Sequence, residues 1–310
     1  MGILNQDSPN KLENTLLMAV CPESMDKYPK VAAIQAPHEA QLRRLALAGV
    51  VVGPHRRAVR VFVNSDYPAV GNTTGHKGHS SSLPCPFFLG TKCSSDRRCV
   101  LVDTFWTIQD LTAAHPPRTA GHLREMRTAY QSSGQTLGGL GLDTHLSIKR
   151  TPVIIVPPSQ IVPLPLHLLI GLTLRMLRLA IEAVTQARGL AAGLQFSHTL
   201  TAVLSVKIGV EAVPYHGGNL VGRHCHAIAS RSDAVVRTLR SLLPTTSLAS
   251  YERVWTLFRG LMSTLNGTAI IPPAQQRQFN TDARAFVRLL QVTFPWVSIS
   301  PKLHVLCSHT

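Results

Sequence analysis

RAVRVFVNSD at residues 57–66 is rich in β-branched and aromatic residues, is bounded by turn formers, and reads as a strand. Asp66 closes it, at the strand end where α/β folds place functional groups. The loop-like segment GHKGHSSSLPCPFFLGTKCSSDRRC (75–99) follows, gathering His76, His79, Cys85, Cys93 and Cys99 within about one loop's length. Zinc takes four borderline or soft ligands in a tetrahedron, usually from closely spaced pairs. His79, Cys85, Cys93 and Cys99 are the candidate set for a structural zinc. Their cysteine spacings of eight and six residues are wider than usual, and the alternative is a loop with scattered thiols. CPFF (85–88) also supplies one cysteine where a zinc knuckle takes CPxC.

A carboxylate such as Asp66 can hold a divalent cation, and a set of them supports two-metal phosphoryl chemistry. A single Asp in NSDYP also suits a turn cap. PHEAQLRRLALAGV (37–50) before it reads as an amphipathic helix ending at Gly49 or Gly53. CVLVDTFWTIQDL (99–111) starts as a strand and passes into a helix. RTAGHLREMRTAYQ (118–131) reads as a helix with Arg118, Arg124 and Arg127 on adjoining turns. Residues 132–150 form a connector, and TPVIIV (151–156) a short strand.

Beyond Pro165, helices are expected over roughly 166–187, 196–209, 217–229, 231–243, 248–265 and 274–293, with prolines between them. No repeat appears at periods of 20–50 residues. The expected organisation is a poorly defined segment (1–56), an α/β region carrying the Cys/His insertion (57–160), and a mostly helical region (161–310).

The chain has 310 residues, enough for one large or two ordinary domains, and its 45% hydrophobic content excludes wholesale disorder. Only 15% of residues are charged, yet 31 are Lys or Arg against 16 Asp or Glu, a net charge of +15. Residues 1–53 are balanced, five against five, whereas residues 161–310 carry fourteen bases against five acids. Arginine dominates and recurs along the helical segments, notably at Arg175, Arg178, Arg237, Arg240, Arg284 and Arg288. Such a field favours a polyanion, most simply DNA, through phosphate neutralisation and counterion release.

Six cysteines are too few for a disulfide scaffold, and the N-terminus lacks a basic start leading into an apolar core. An intracellular location is expected, nuclear if the source is eukaryotic. Thr151–Val184 is apolar but is broken by Pro157, Pro158, Pro163 and Pro165 and carries His167, Arg175, Arg178 and Glu182. A buried helix, with His167 in its core, is expected there rather than a membrane span. His216, His224, Cys225 and His226 in YHGGNLVGRHCHAIAS (215–230) are poorly arranged for one ion, and GGNLVG matches no nucleotide-binding loop.

Four motifs in order resemble the C-terminal part of transposon-derived proteins with DDE-type, RNase H-like transposase domains: VFVNSDYPAVGNTTGHKGHSSSLPCPFFLG, PLPLHLLIGLTLRML, YHGGNLVGRHCHAI and SPKLHVLCSH. The likeness covers residues 57–310. It implies a partial RNase H-like core with a Cys/His-rich insertion, Asp66 as the second catalytic carboxylate, and Cys85 as the first ligand of a zinc knuckle. The sequence departs from that pattern at Phe88, which replaces the second knuckle cysteine. Residues 1–56 show no strong strand–Asp unit, and the PLH element has no acid nearby. The family also continues beyond the PKLHVLCSH element toward a last catalytic Glu, whereas this sequence ends at Thr310.

The expectation is therefore a truncated or decayed copy that binds nucleic acid without catalysis. Two alternatives stand beside it. One is a helical protein-interaction domain. The other is a magnesium-dependent nuclease drawing acids from Asp103, Asp110, Glu182 or Asp233.

Overall fold

The computed structural model describes residues 27–59, 62–65, 67–77, 85–89, 116–132, 146–153, 155, 157, 160–163, 165–211, 220–265, 271–297 and 301–308. Over these residues the protein is mostly helical, with two two-stranded sheets. It divides into two compact units, Met1–Thr91 with His115–Val162, and Lys92–Ala114 with Pro163–Thr310.

The first unit begins with α1 (Lys27–Ala48), which starts ten residues before the expected helix and runs through Pro37. Next comes the antiparallel hairpin β1 (Val50–Val52) and β2 (His55–Arg57), in register Val50↔Arg57. The single strand expected over 57–66 is thus divided. The turn at Gly53–Pro54 folds His55–Arg57 back onto β1, and a separate strand β3 (Val63–Ser65) starts later. Helix α2 (Tyr67–Thr74) follows and packs on α1.

The other elements of this unit are α3 (Ala120–Ser132) and β4 (Ile161–Pro163), which pairs with β3. The described residues of TPVIIV, 151–153 and 155, are not in a strand. Its Val153 N–H makes one backbone bond, to the Thr73 carbonyl at 2.9 Å, and the strand forms only at Ile161. One apolar cluster among its described residues joins Leu123, Tyr130 and Ile148, with Met126 and Ile155 against them.

The second unit is built on α4 (Pro165–Arg188), which touches α5 (Leu190–Ala202), α6 (Gly222–Ser230), α8 (Thr245–Leu265) and α10 (Pro301–Ser308). Helix α5 runs into a π-helical turn, Val203–Ile208, on which α7 (Ser232–Leu239) packs; α9 (Pro273–Thr293) lies against α8 and α10. The buried positions of α8 recur at helical spacing: Tyr251, Val254, Trp255, Phe258, Leu261 and Met262. Their rings interlock edge to face, Trp255 on Phe258 at 5.4 Å between centroids and Tyr251 on Phe294 at 5.4 Å. Burial of each such ring stabilises the unit by about 1.5–3 kcal/mol.

The apolar stretch around α4 is a core helix, burying Leu168, Leu169, Leu172, Met176, Leu179 and Val184. No helix among the described residues is long and apolar enough to cross a membrane. At Gly193 a Cβ would collide with the Thr185 side chain, so glycine is what lets α5 close onto α4. His167, expected in the core, is exposed, immediately before the buried Leu168. Helix α10 arises from the motif SPKLHVLCSH and buries Leu303 through Cys307 without a break.

Candidate functional site

Two regions carry the candidate residues. The first is the Cys85 loop in the first unit. At Cys85 the backbone turns so that the N–H groups of Phe87 and Phe88 both donate to Sγ, at 3.3 and 3.4 Å. Two amides converging on one sulfur is the backbone form of a cysteine knuckle, made here although Phe88 stands at the second cysteine position. Burial pushes the Cys85 thiol up to about 11, opposed by the two amides and by the charge of Arg118.

The neighbour of this turn is Arg118, 3% exposed. Its place outside a helix has a local cause. Thr119 Oγ1 accepts the His122 N–H at 3.2 Å, and His122 Nδ1 accepts the Thr119 N–H at 3.1 Å. This reciprocal cap starts α3 at Ala120, so Arg118, expected on the helix, falls just before it. The freed side chain turns inward. Nε donates to the Cys85 carbonyl at 2.9 Å, Nη1 to the Leu146 carbonyl at 2.7 Å, and Nη2 lies 3.5 Å from His76 Nε2. Guanidinium has no acceptor, so Nε2 can only accept in that contact.

His76 is held in turn. It bridges to Ile148, and Gly75, at φ +70, sits where a Cβ would strike the Arg150 carbonyl. The Gly75 carbonyl accepts the N–H groups of Lys149 and Arg150 at 2.8 and 3.2 Å. Elsewhere in the unit, Arg127 pairs with Glu39 at 3.0 Å and donates to the carbonyls of Pro152 and Val153, while Arg124 is exposed. The structure thus brings Cys85 together with His76 and Arg118.

Of the expected zinc ligands only Cys85 is described; His79, Cys93 and Cys99 lie outside the described residues, as does Asp66. Among the described residues no three His, Cys, Asp or Glu side chains group together. Sequence reasoning missed Arg118 because a capping box is recognised by Glu or Gln at its third position, and here His122 plays that part. TxxH is the signal that could have shown it.

The second region is the set of arginines in the helical unit. Arg175 pairs with Glu182 at 3.4 Å, Arg237 with Asp233 at 2.9 Å, and Arg240 with Glu252 at 3.5 Å. Such part-exposed pairs contribute little to stability. Glu182 also accepts the Trp296 indole N–H at 3.3 Å. Arg178, Arg284 and Arg288 are exposed and enter no ion pair among the described residues. Arg284 and Arg288 share one face of α9 with Arg277, since seven and four residues return to the same side of a helix.

Of the acids an active nuclease would draw on, Glu182 and Asp233 stand on separate helices, each beside an arginine; Asp103 and Asp110 lie outside the described residues. His224 and Cys225 are both buried in α6, and His226 beside them is exposed. No protein-family model and no curated protein matches the chain.

Proposed function

We propose that this is a transposase-derived nucleic-acid-binding protein without catalytic activity, and that it contacts duplex DNA through its arginine-bearing helices. The observation that carries the reading is the face of α9 presenting Arg277, Arg284 and Arg288, which have no acidic partner among the described residues. It lies in a region of fourteen bases and five acids. Arginine forks suit phosphate oxygens, and a helix face of them tracks a strand without reading bases.

Two features support the ancestry. The turn at Cys85 keeps a knuckle backbone, and the four motifs keep the family's order. The RNase H-like region in this reading is residues 57–160, with Asp66 a relic of its second carboxylate. Magnesium matters only to the alternative of an active nuclease. The engagement of Glu182 with Arg175 and of Asp233 with Arg237 favours the inactive form, because two-metal transfer needs several carboxylates held in register. The location that follows is nuclear in a eukaryotic source.

A titration of labelled duplex DNA at several salt concentrations tests the reading. Binding should weaken steeply with salt, with a log–log slope of about −3 if only the α9 arginines meet phosphates. No cleavage should appear with Mg²⁺ or Mn²⁺. Binding that ignores salt, or cleavage lost in Asp66→Ala, would overturn it. A helical protein-interaction domain is favoured by one observation, Leu190 and Leu194 exposed one turn apart on α5. It predicts no salt-dependent DNA binding.

A further inference from the structure

A zinc knuckle closes because one cation draws ligands from distant chain segments onto itself. The described residues around Cys85 do not fit that ion. Phe88 brings its N–H to Sγ but has no donor atom for a metal. The His76 lone pair that could ligate already faces Arg118 Nη2. A divalent ion arriving at Sγ would also meet a fixed guanidinium charge whose Nε is bonded to the same cysteine's carbonyl.

We infer that the guanidinium of Arg118, and not a metal ion, closes the Cys85 knuckle and clasps the three chain segments that meet there. Its donors reach residues 33, 28 and 42 positions away, at Cys85, Leu146 and His76. The main chain adds to the clasp: the Arg118 N–H donates to the Phe87 carbonyl at 2.8 Å, and the Leu89 N–H to the Pro116 carbonyl at 2.9 Å. The Phe88↔Pro117 bridge lies between them. A planar fork with five fixed donors on three nitrogens makes this span, whereas a lysine ammonium carries its three donors on one nitrogen and cannot reach acceptors spread along the width of a guanidinium. The inference rests on the contacts of Arg118 and stands whether or not the chain descends from a transposase.

The test uses the full chain, expressed with zinc in the medium. Zinc content is read by mass spectrometry, and hydrogen exchange is followed in peptides covering 85–89 and 146–148. The account expects zinc well below one equivalent and no change in exchange on adding EDTA or zinc alone. Arg118→Met should speed exchange in both peptides by about tenfold or more, and Arg118→Lys should fail to restore it. Three results would overturn the inference: one equivalent of zinc that is lost in Cys85→Ser, faster exchange in these peptides under EDTA, or wild-type exchange in Arg118→Met. Should Arg118→Met not fold, the zinc content and the EDTA response of the wild-type chain decide the matter alone.

Discussion

In the helical unit the side chains that hold the fold are apolar and recur every three or four residues, whereas in the first unit polar side chains just before and along α3 bond to carbonyls of distant chain segments. Tyr251, Trp255 and Phe258 typify the former, Arg118, Arg127 and Tyr130 the latter. A periodic apolar face tolerates loss of one polar contact because burial is distributed. A polar clasp concentrates the work in a few directional bonds, so one substitution frees several buried carbonyls together.

The largest effect expected is in the helical unit. Trp255→Ala, at 1% exposure amid Phe258 and Tyr251, should cost about 3–5 kcal/mol in urea unfolding. Arg118→Met should cost about 3 kcal/mol, confined to the first unit, because it orphans the Cys85 and Leu146 carbonyls. If it proves as global as Trp255→Ala, the contrast between the units fails. Tyr130→Phe removes only the 2.8 Å bond to the Ile148 carbonyl, at about 1 kcal/mol, and is measured the same way.

The alkaline limit sharpens the comparison from the helical side. Burial raises Cys307 from 9.0 to about 12, so folding favours its neutral thiol. That stability is intact below pH 9 and is lost as pH rises toward about 12. Unfolding midpoints of Cys307→Ala should therefore fall less steeply than wild type over that window. The smallest stability effect is expected at Arg284 and Arg288, where alanine should shift unfolding by no more than about 0.5 kcal/mol.

What was legible follows the same division. The helices of the second unit could be read because Leu168 to Val184 and Tyr251 to Met262 repeat at helical spacing, and prolines stand between the segments. The π-helical turn after Ala202 and the short α10 carried no such signal, the latter because Leu303–Cys307 is buried on all sides and shows no stripe.

In the first unit, β propensity over 57–66 marked a strand but not its division, which a turn at Gly53–Pro54 decided. The cysteine loop was recognisable as a site, yet its partners were not. Arg118 links His76 and Cys85 from 42 and 33 residues away, and no spacing rule encodes a guanidinium between them. The basic surplus was visible in composition, but which arginines stand clear of acids needed coordinates. Arg175, Arg237 and Arg240 turned out to be paired, and Arg277 joined Arg284 and Arg288.

The most direct test of the DNA-binding claim is duplex-DNA affinity as a function of salt for wild type and for the Arg284→Ala, Arg288→Ala double variant. The account predicts a steep salt slope for wild type, reduced by about two in the variant with folding intact. An unchanged slope in the folded variant, or no binding by wild type even at low salt, would contradict it.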